Sequence, residues 1–284
     1  MSNRVRSNLF YLKQFGFSDS LLKAIYHLEL DPLESIFNNE YEIILEIESK
    51  FNDKDRQLAK NYQQYLEFKT ELFNSETFLR EKNSKIYFKY DENELTNLIP
   101  KNLMPLFMYS KGDVSLLSKN IKRVAVIGTR KPTEKSLNLT KKITQKYVND
   151  DYIIVSGLAE GIDTIAHETT LELKGKTIAV LPTNFNEIYP KENKSLASKI
   201  ADLGLLITSI GPKENTYKSN FLDRNQYVAN ISDLVIVIET NLKSGTMNTI
   251  RNAYEANKKI LFLDQGDETI NNKIIEFGGE LLND

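Results

Sequence analysis

"RVAVIGTRKPTEKSLNLTKKITQKYVNDDYIIVSG", residues 123–157, decides the fold. Two apolar runs of strand length, RVAVIG (123–128) and YIIVSG (152–157), flank a helix-like segment, TEKSLNLTKKITQKYV. A strand that reads as an unbroken apolar run is buried on both faces, as strands inside parallel sheets are. The pattern continues with TIAVLP (177–182), LLIT (205–208), LVIVIE (234–239) and KILFLD (259–264). Helix-like segments lie between most of them: GIDTIAHETTLEL, ENKSLASKIADL and TMNTIRNAYEAN. Strands alternating with helices imply βαβ units and a mostly parallel sheet. The expected fold is therefore α/β and doubly wound.

Outward from this block the pattern changes. The first ~80 residues read as short helices. Leu21, Leu22, Ile25 and Leu28 share one helical face, with Ser18 as N-cap and Pro32 as stop. DPLESIF and NDKDRQLAKNYQQYLEFKTELF continue the helical period. SKIYFKYDE (84–92) is a short β-rich run, and LIPKNLMPLFMYSKGD, with its prolines and glycine, reads as irregular chain. The expected division is a small all-helical domain, 1–80, and an α/β domain, 81–284.

Composition narrows the function. The chain has 284 residues, 40% apolar and 27% charged, which is ordinary globular usage. It has no cysteine, so disulfide scaffolds and thiol catalysis are excluded. Its two histidines, His27 and His167, are far apart, and neither a metal nor another cofactor is expected. A net charge of −2 argues against a general polyanion binder but leaves room for a local basic groove. No window approaches the ~18 consecutive apolar residues of a membrane span. The opening MSNRVRSNLF lacks the apolar segment of a secretory signal, so a cytoplasmic protein without a membrane partner is expected.

Open parallel sheets bind ligands beyond the carboxyl ends of their strands. The residues there are Gly128-Thr129-Arg130-Lys131, Ser156-Gly157, Thr183-Asn184, Ser209-Ile210-Gly211 and Thr240. Two of these loops have the form of anion sites. VIGTRKPT opens a helix near Thr133–Glu134, and LKSGTMNT places Ser244-Gly245-Thr246 at a helix start. Arg130 adds a guanidinium fork suited to phosphate oxygens. Solvated tight turns are the alternative reading of both loops. GLAEG (157–161) is not a dinucleotide fingerprint, no acid ends the second strand, and no P-loop is present.

Three further features each allow two readings. Asp163 and His167, four apart on a helix, are either an acid/base pair or groups satisfied locally by the fold. Glu239 ends a strand and meets either a ribose or a loop amide. Phe221, in SNFLDRNQYVANISD (219–233), is either a platform for a base or a plug under a loop. Arg224, three residues on, equally fits a structural arginine that pins the loop to the sheet.

VAVIGTRKPT, IVSGLAEGIDTIAH, YPKEN, FLDRNQYVANIS and KSGTMNT follow one another in this order. As a set they resemble the DNA-processing protein A family (DprA/Smf) over roughly residues 85–265. The resemblance implies a Rossmann-like domain preceded by a SAM-like helical one. It also implies a non-enzymatic homodimer that binds single-stranded DNA and loads the RecA recombinase during natural transformation. Carried over by motif, Arg130 contacts phosphate, Lys218 contacts the backbone and Phe221 lies at the DNA groove. The full set is Gly128, Thr129, Arg130, Lys131, Ser156, Gly157, Lys218, Asn220, Phe221, Arg224, Asn225, Lys243, Ser244, Gly245 and Thr246. Ile250, Tyr254 and Ile260, in the last helix and strand, are the expected dimer contacts.

The sequence also departs from the family's pattern. TSIGP (208–212) stands where many members have S-E-Y, Gln226 replaces an arginine, and the winged-helix extension of some members has no counterpart. Two alternatives follow. One is an enzyme resembling the lysine-decarboxylase-like nucleotide phosphoribohydrolases. Lys243 and Ser244 then stand where that family has glycines, and Met247 or Thr249 near where it has its glutamate. The other is a partner-binding relative with an altered groove.

Overall fold

The computed structural model describes residues 3–37, 47–75 and 83–282. Nine strands among these residues form one sheet, ordered β1-β2-β6-β5-β4-β3-β7-β8-β9. The six apolar runs are β3 (Arg123–Ile127), β4 (Ile153–Ser156), β5 (Thr177–Leu181), β6 (Leu205–Thr208), β7 (Leu234–Val237) and β8 (Lys259–Phe262). All six run parallel, with Ala125 opposite both Val155 and Val235. β1 (Ser84–Phe88) and β2 (Phe107–Gly112) add antiparallel at one edge, and β9 (Gly279–Leu281) adds parallel at the other.

The period-2 alternation of each strand supplies both faces of the sheet. Ala125 and Ile127 point into a core shared with Tyr227, Val228, Ile231, Met247 and Ile250. Val124 and Val126 point the other way, toward Ile143, Tyr147, Ile162 and Ala166. Helices α6 (Glu134–Asn149), α7 (Ile162–Glu172) and α8 (Lys194–Leu203) carry the second face. α9 (Lys218–Ile231) and α10 (Gly245–Glu255) carry the first. Burying each Val or Ile of β3 contributes about 1.5–3 kcal/mol.

Three expectations change. The segment read as irregular contains β2, paired to β6 from Tyr109↔Thr208 to Gly112↔Leu205. The stretch around Phe221 and Arg224 is no loop but α9, the crossover that carries the chain from β6 back across the sheet to β7. Pro32 does not stop a helix. α2 (Asp19–His27) ends earlier, and Pro32 is the first residue of α3 (Pro32–Phe37), where its missing N–H costs nothing. Ser18 does cap α2, accepting from Leu21 N.

α1 (Asn3–Phe15), α2, α3, α4 (Asp53–Ala59) and α5 (Tyr62–Ser75) form the helical region. A boundary at 80–81 lies outside the described residues. The region's apolar side chains, among them Leu9, Leu12, Leu22 and Tyr65, pack in one cluster with Phe88, Phe107 and Tyr109 of β1 and β2. The helices and the sheet edge thus share a core. α11 (Glu268–Glu276) precedes β9.

Candidate nucleic-acid interface

The chain winds from β3 to β6 in one direction along the sheet and from β7 to β9 in the other. The loops after β3 and β7, which are neighbours, therefore diverge, and a crevice opens between them at the carboxyl rim. It is a cleft of about 700 Å³. Gly128, Thr129, Arg130 and Lys131 line one side, Ser244, Gly245 and Thr246 the other, and Gly157, Phe221, Arg224 and Asn225 the end. Eleven of the fifteen expected strand-binding residues thus meet in one place.

The four others do not line it. Ser156 is fully buried and donates its hydroxyl to Val126 O at 2.8 Å. Asn220 turns back to cap α9, accepting from Tyr217 N at 2.7 Å. Lys218 is exposed one helical turn before Phe221, and Lys243 is exposed beside Ser244. The cleft also includes Leu222 and Asn241, which spacing did not single out, and Thr249, which it named only for the phosphoribohydrolase alternative.

The two loops with anion-site form turn out differently. At α6 the N-cap Thr133 accepts from Ser136 N, while Glu239 Oε2 accepts from Thr133 N at 2.9 Å and from its hydroxyl at 3.1 Å. The helix start is thus already neutralised by a carboxylate of the chain itself, and Glu239 meets a loop amide. Positive charge on this side comes from the exposed Arg130 and Lys131 side chains. At α10 no carboxylate among the described residues bonds to the helix start. Ser244 caps Met247 N at 3.2 Å and pairs with the Thr240 hydroxyl at 2.7 Å, while Gly245 and Thr246 open the helix toward the cleft. First-turn N–H groups have no intrahelical partner and suit an anion.

Arg224 has a structural role. Buried, it donates Nη1 to Gly157 O and lies 3.9 Å from Asp163 Oδ2. Asp163 in turn accepts from Gly157 N at 3.1 Å and Ala159 N at 3.3 Å. Burial pushes the Asp163 carboxyl up, and the guanidinium and both N–H groups oppose that rise. A Cβ at position 157 would run into the Arg224 guanidinium. Arg224 Nε is buried without a hydrogen-bond partner. At the other end of α9, the buried Arg123 donates Nε to Ile231 O at 2.9 Å.

The Asp163–His167 pair is not an acid/base couple. The Thr177 hydroxyl donates to Ile154 O, so it accepts from His167 Nδ1 at 2.7 Å, which fixes the Nδ1–H tautomer. Burial first, then the Arg224 charge, lowers the imidazole to about 3, so it is neutral at pH 7.

Phe221 is partly buried in the cleft wall, edge-on to Tyr189 at 5.4 Å and 87°. One turn of α9 thus brings an aromatic ring and a guanidinium to one rim. Of the expected dimer contacts, Ile250 and Ile260 are 0% and 1% exposed inside the chain's own core, so they offer no partner surface. Tyr254 is 52% exposed. Among the described residues no cluster suited to a metal ion occurs, and no helix is long and apolar enough to cross a membrane.

Solved structures with this architecture include DNA processing protein A from Streptococcus pneumoniae. It aligns with a TM-score of 0.68 at 26% identity, over 97% of this chain and 94% of that one. The Helicobacter pylori protein, described for its single-stranded DNA binding mode, aligns with a TM-score of 0.61 at 30% identity, over 71% of this chain and 91% of that one. DNA processing protein DprA of Bacillus subtilis is 35% identical over 156 residues, 55% of this chain and 52% of its own length. Protein Smf of Synechocystis is 40% identical over 140 residues, 49% of this chain and 35% of its own length. In each case the chain spans about half or less of the curated relative. The sequence profile of the family described as DNA recombination-mediator protein A matches residues 87–283, reaching past the motifs into α11 and β9, and the chain belongs to that family.

Proposed function

We propose that this chain binds single-stranded DNA in the switch-point cleft and, without catalysing a reaction itself, loads RecA recombinase onto the strand during natural transformation. One observation carries the reading: Arg130, Lys131, the first turn of α10 and Phe221 line one cleft. Arginine, lysine and helix N–H groups hold phosphate without regard to sequence. An aromatic face accepts any unpaired base. The binding mode for which the Helicobacter pylori relative is described supports the same substrate. The reading places the protein in the cytoplasm, as a homodimer joined through the exposed Tyr254 face of α10. Two sites on linked protomers raise the effective affinity for one long strand.

The phosphoribohydrolase alternative needs an uncommitted acid in the cleft. Asp163 and Glu239, the acidic side chains lining it, are both engaged by backbone N–H groups and, in Asp163, by Arg224. The test is competition between oligo-dT and a duplex of equal length. The single strand should win by about tenfold or more, because only unpaired bases offer a face worth ~1–3 kcal/mol each to Phe221. Equal affinity for both would remove the reading.

A further inference from the structure

The loop between β6 and α9, residues 209–217, is held by the helical region. Lys13 Nζ lies 2.9 Å from Asp19 Oδ1 and 3.0 Å from Glu214 Oε2. Gln14, 3% exposed, donates Nε2 to Tyr109 OH at 3.0 Å and to Glu214 Oε1 at 3.1 Å. Its Oε1 accepts from Lys213 N at 3.1 Å. Glu214 Oε1 also accepts from Gly211 N at 3.1 Å. The approach is tight: a Cβ on Gly211 would stand 2.1 Å from Gln14 Nε2. This is the TSIGP segment, and the room its glycine leaves is filled by a side chain of α1.

We propose that Lys13 and Gln14 are positioning residues for the single-strand cleft, fixing the loop after β6 and, through it, the first turn of α9 that carries Lys218 and Phe221. The proposal rests on the reading of the cleft as a single-strand site. Glu214 lies three residues before Tyr217, which caps α9. The body of the helix is held separately, by Arg224 near its middle and Arg123 at its end. Releasing the loop therefore leaves α9 in place and frees only its first turn. Burial alone would lower the Lys13 ammonium, but Asp19 and Glu214 outweigh it and raise it, so Lys13 keeps its charge. Removing the Lys13 ammonium takes from Glu214 its ion-pair partner, whereas Asp19 keeps Lys23 at 3.2 Å.

The test compares Lys13→Met, Lys13→Arg and Asp55→Asn with wild type. Asp55 accepts from Ser18 N and its hydroxyl, so Asp55→Asn loosens the helical region without touching the loop. Oligo-dT affinity and hydrogen exchange over residues 209–221 are measured in parallel. Lys13→Met should bind about five- to tenfold more weakly, the low end of one lost base stack, and exchange faster over 209–221. Lys13→Arg should restore both, and Asp55→Asn should bind as wild type. Wild-type affinity in Lys13→Met, or an equal loss in Asp55→Asn, overturns the proposal. A wild type that binds no oligo-dT sinks the cleft reading instead. In that case unchanged exchange over 209–221 in Lys13→Met overturns the positioning role as well.

Discussion

Arg224→Ala should cost about 3–5 kcal/mol of unfolding free energy at pH 7, the range for removing one partner of a buried ion pair. The guanidinium holds the loop after β4 through Gly157 O and is the positive charge beside Asp163. Without it, Asp163 keeps its bonds from Gly157 N and Ala159 N but not its counter-charge. The sign of the pH dependence follows. The carboxyl in the variant titrates above its unfolded value, so the folded state binds more protons and the deficit shrinks as pH falls. Asp163→Asn added to Arg224→Ala should recover part of the loss. Urea unfolding across pH measures all three proteins. A deficit below about 1 kcal/mol, typical of exposed pairs, would show that the contact holds nothing.

Phe221→Ala should weaken oligo-dT binding by about 1–3 kcal/mol, roughly 5- to 150-fold, with little change in unfolding. The ring is only partly buried, so its truncation removes a stacking surface rather than core packing. Phe221→Trp should bind at least as well as wild type, because the platform is kept. If the ring were instead a plug, Phe221→Ala would lose stability in urea and Phe221→Trp would be overpacked. Measured binding and unfolding together separate the two roles.

The parallel core was legible because its strands are buried on both faces and so read as unbroken apolar runs. β2 was hidden for the opposite reason. It pairs antiparallel near the sheet edge, and its residues Ser110-Lys111-Gly112 follow two prolines. α9 was hidden because Arg224, Asn225 and Asn230 are buried polar residues that break the apolar period. They reach backbone groups, such as Gly157 O for Arg224 and Gly245 O for Asn225. The cleft itself was legible from a topological rule, since ligand loops follow parallel strands. Side-chain direction was not. Ser156, Ile250 and Ile260 belong to the right elements but point into the core. Contacts such as Gln14 with Glu214, 200 residues apart, leave no trace in spacing.

The most direct test of the cleft is the salt dependence of oligo-dT binding by wild type and Arg130→Ala. Arg130 is exposed, and among the described residues its side chain has no buried ion pair such as that of Arg224 with Asp163, so its loss should leave folding intact. The variant should bind more weakly at low salt. Its plot of log affinity against log salt should be shallower by about 0.7 for one lost phosphate contact. Superimposable lines for the two proteins would contradict the account, because the strand would then be gripped elsewhere.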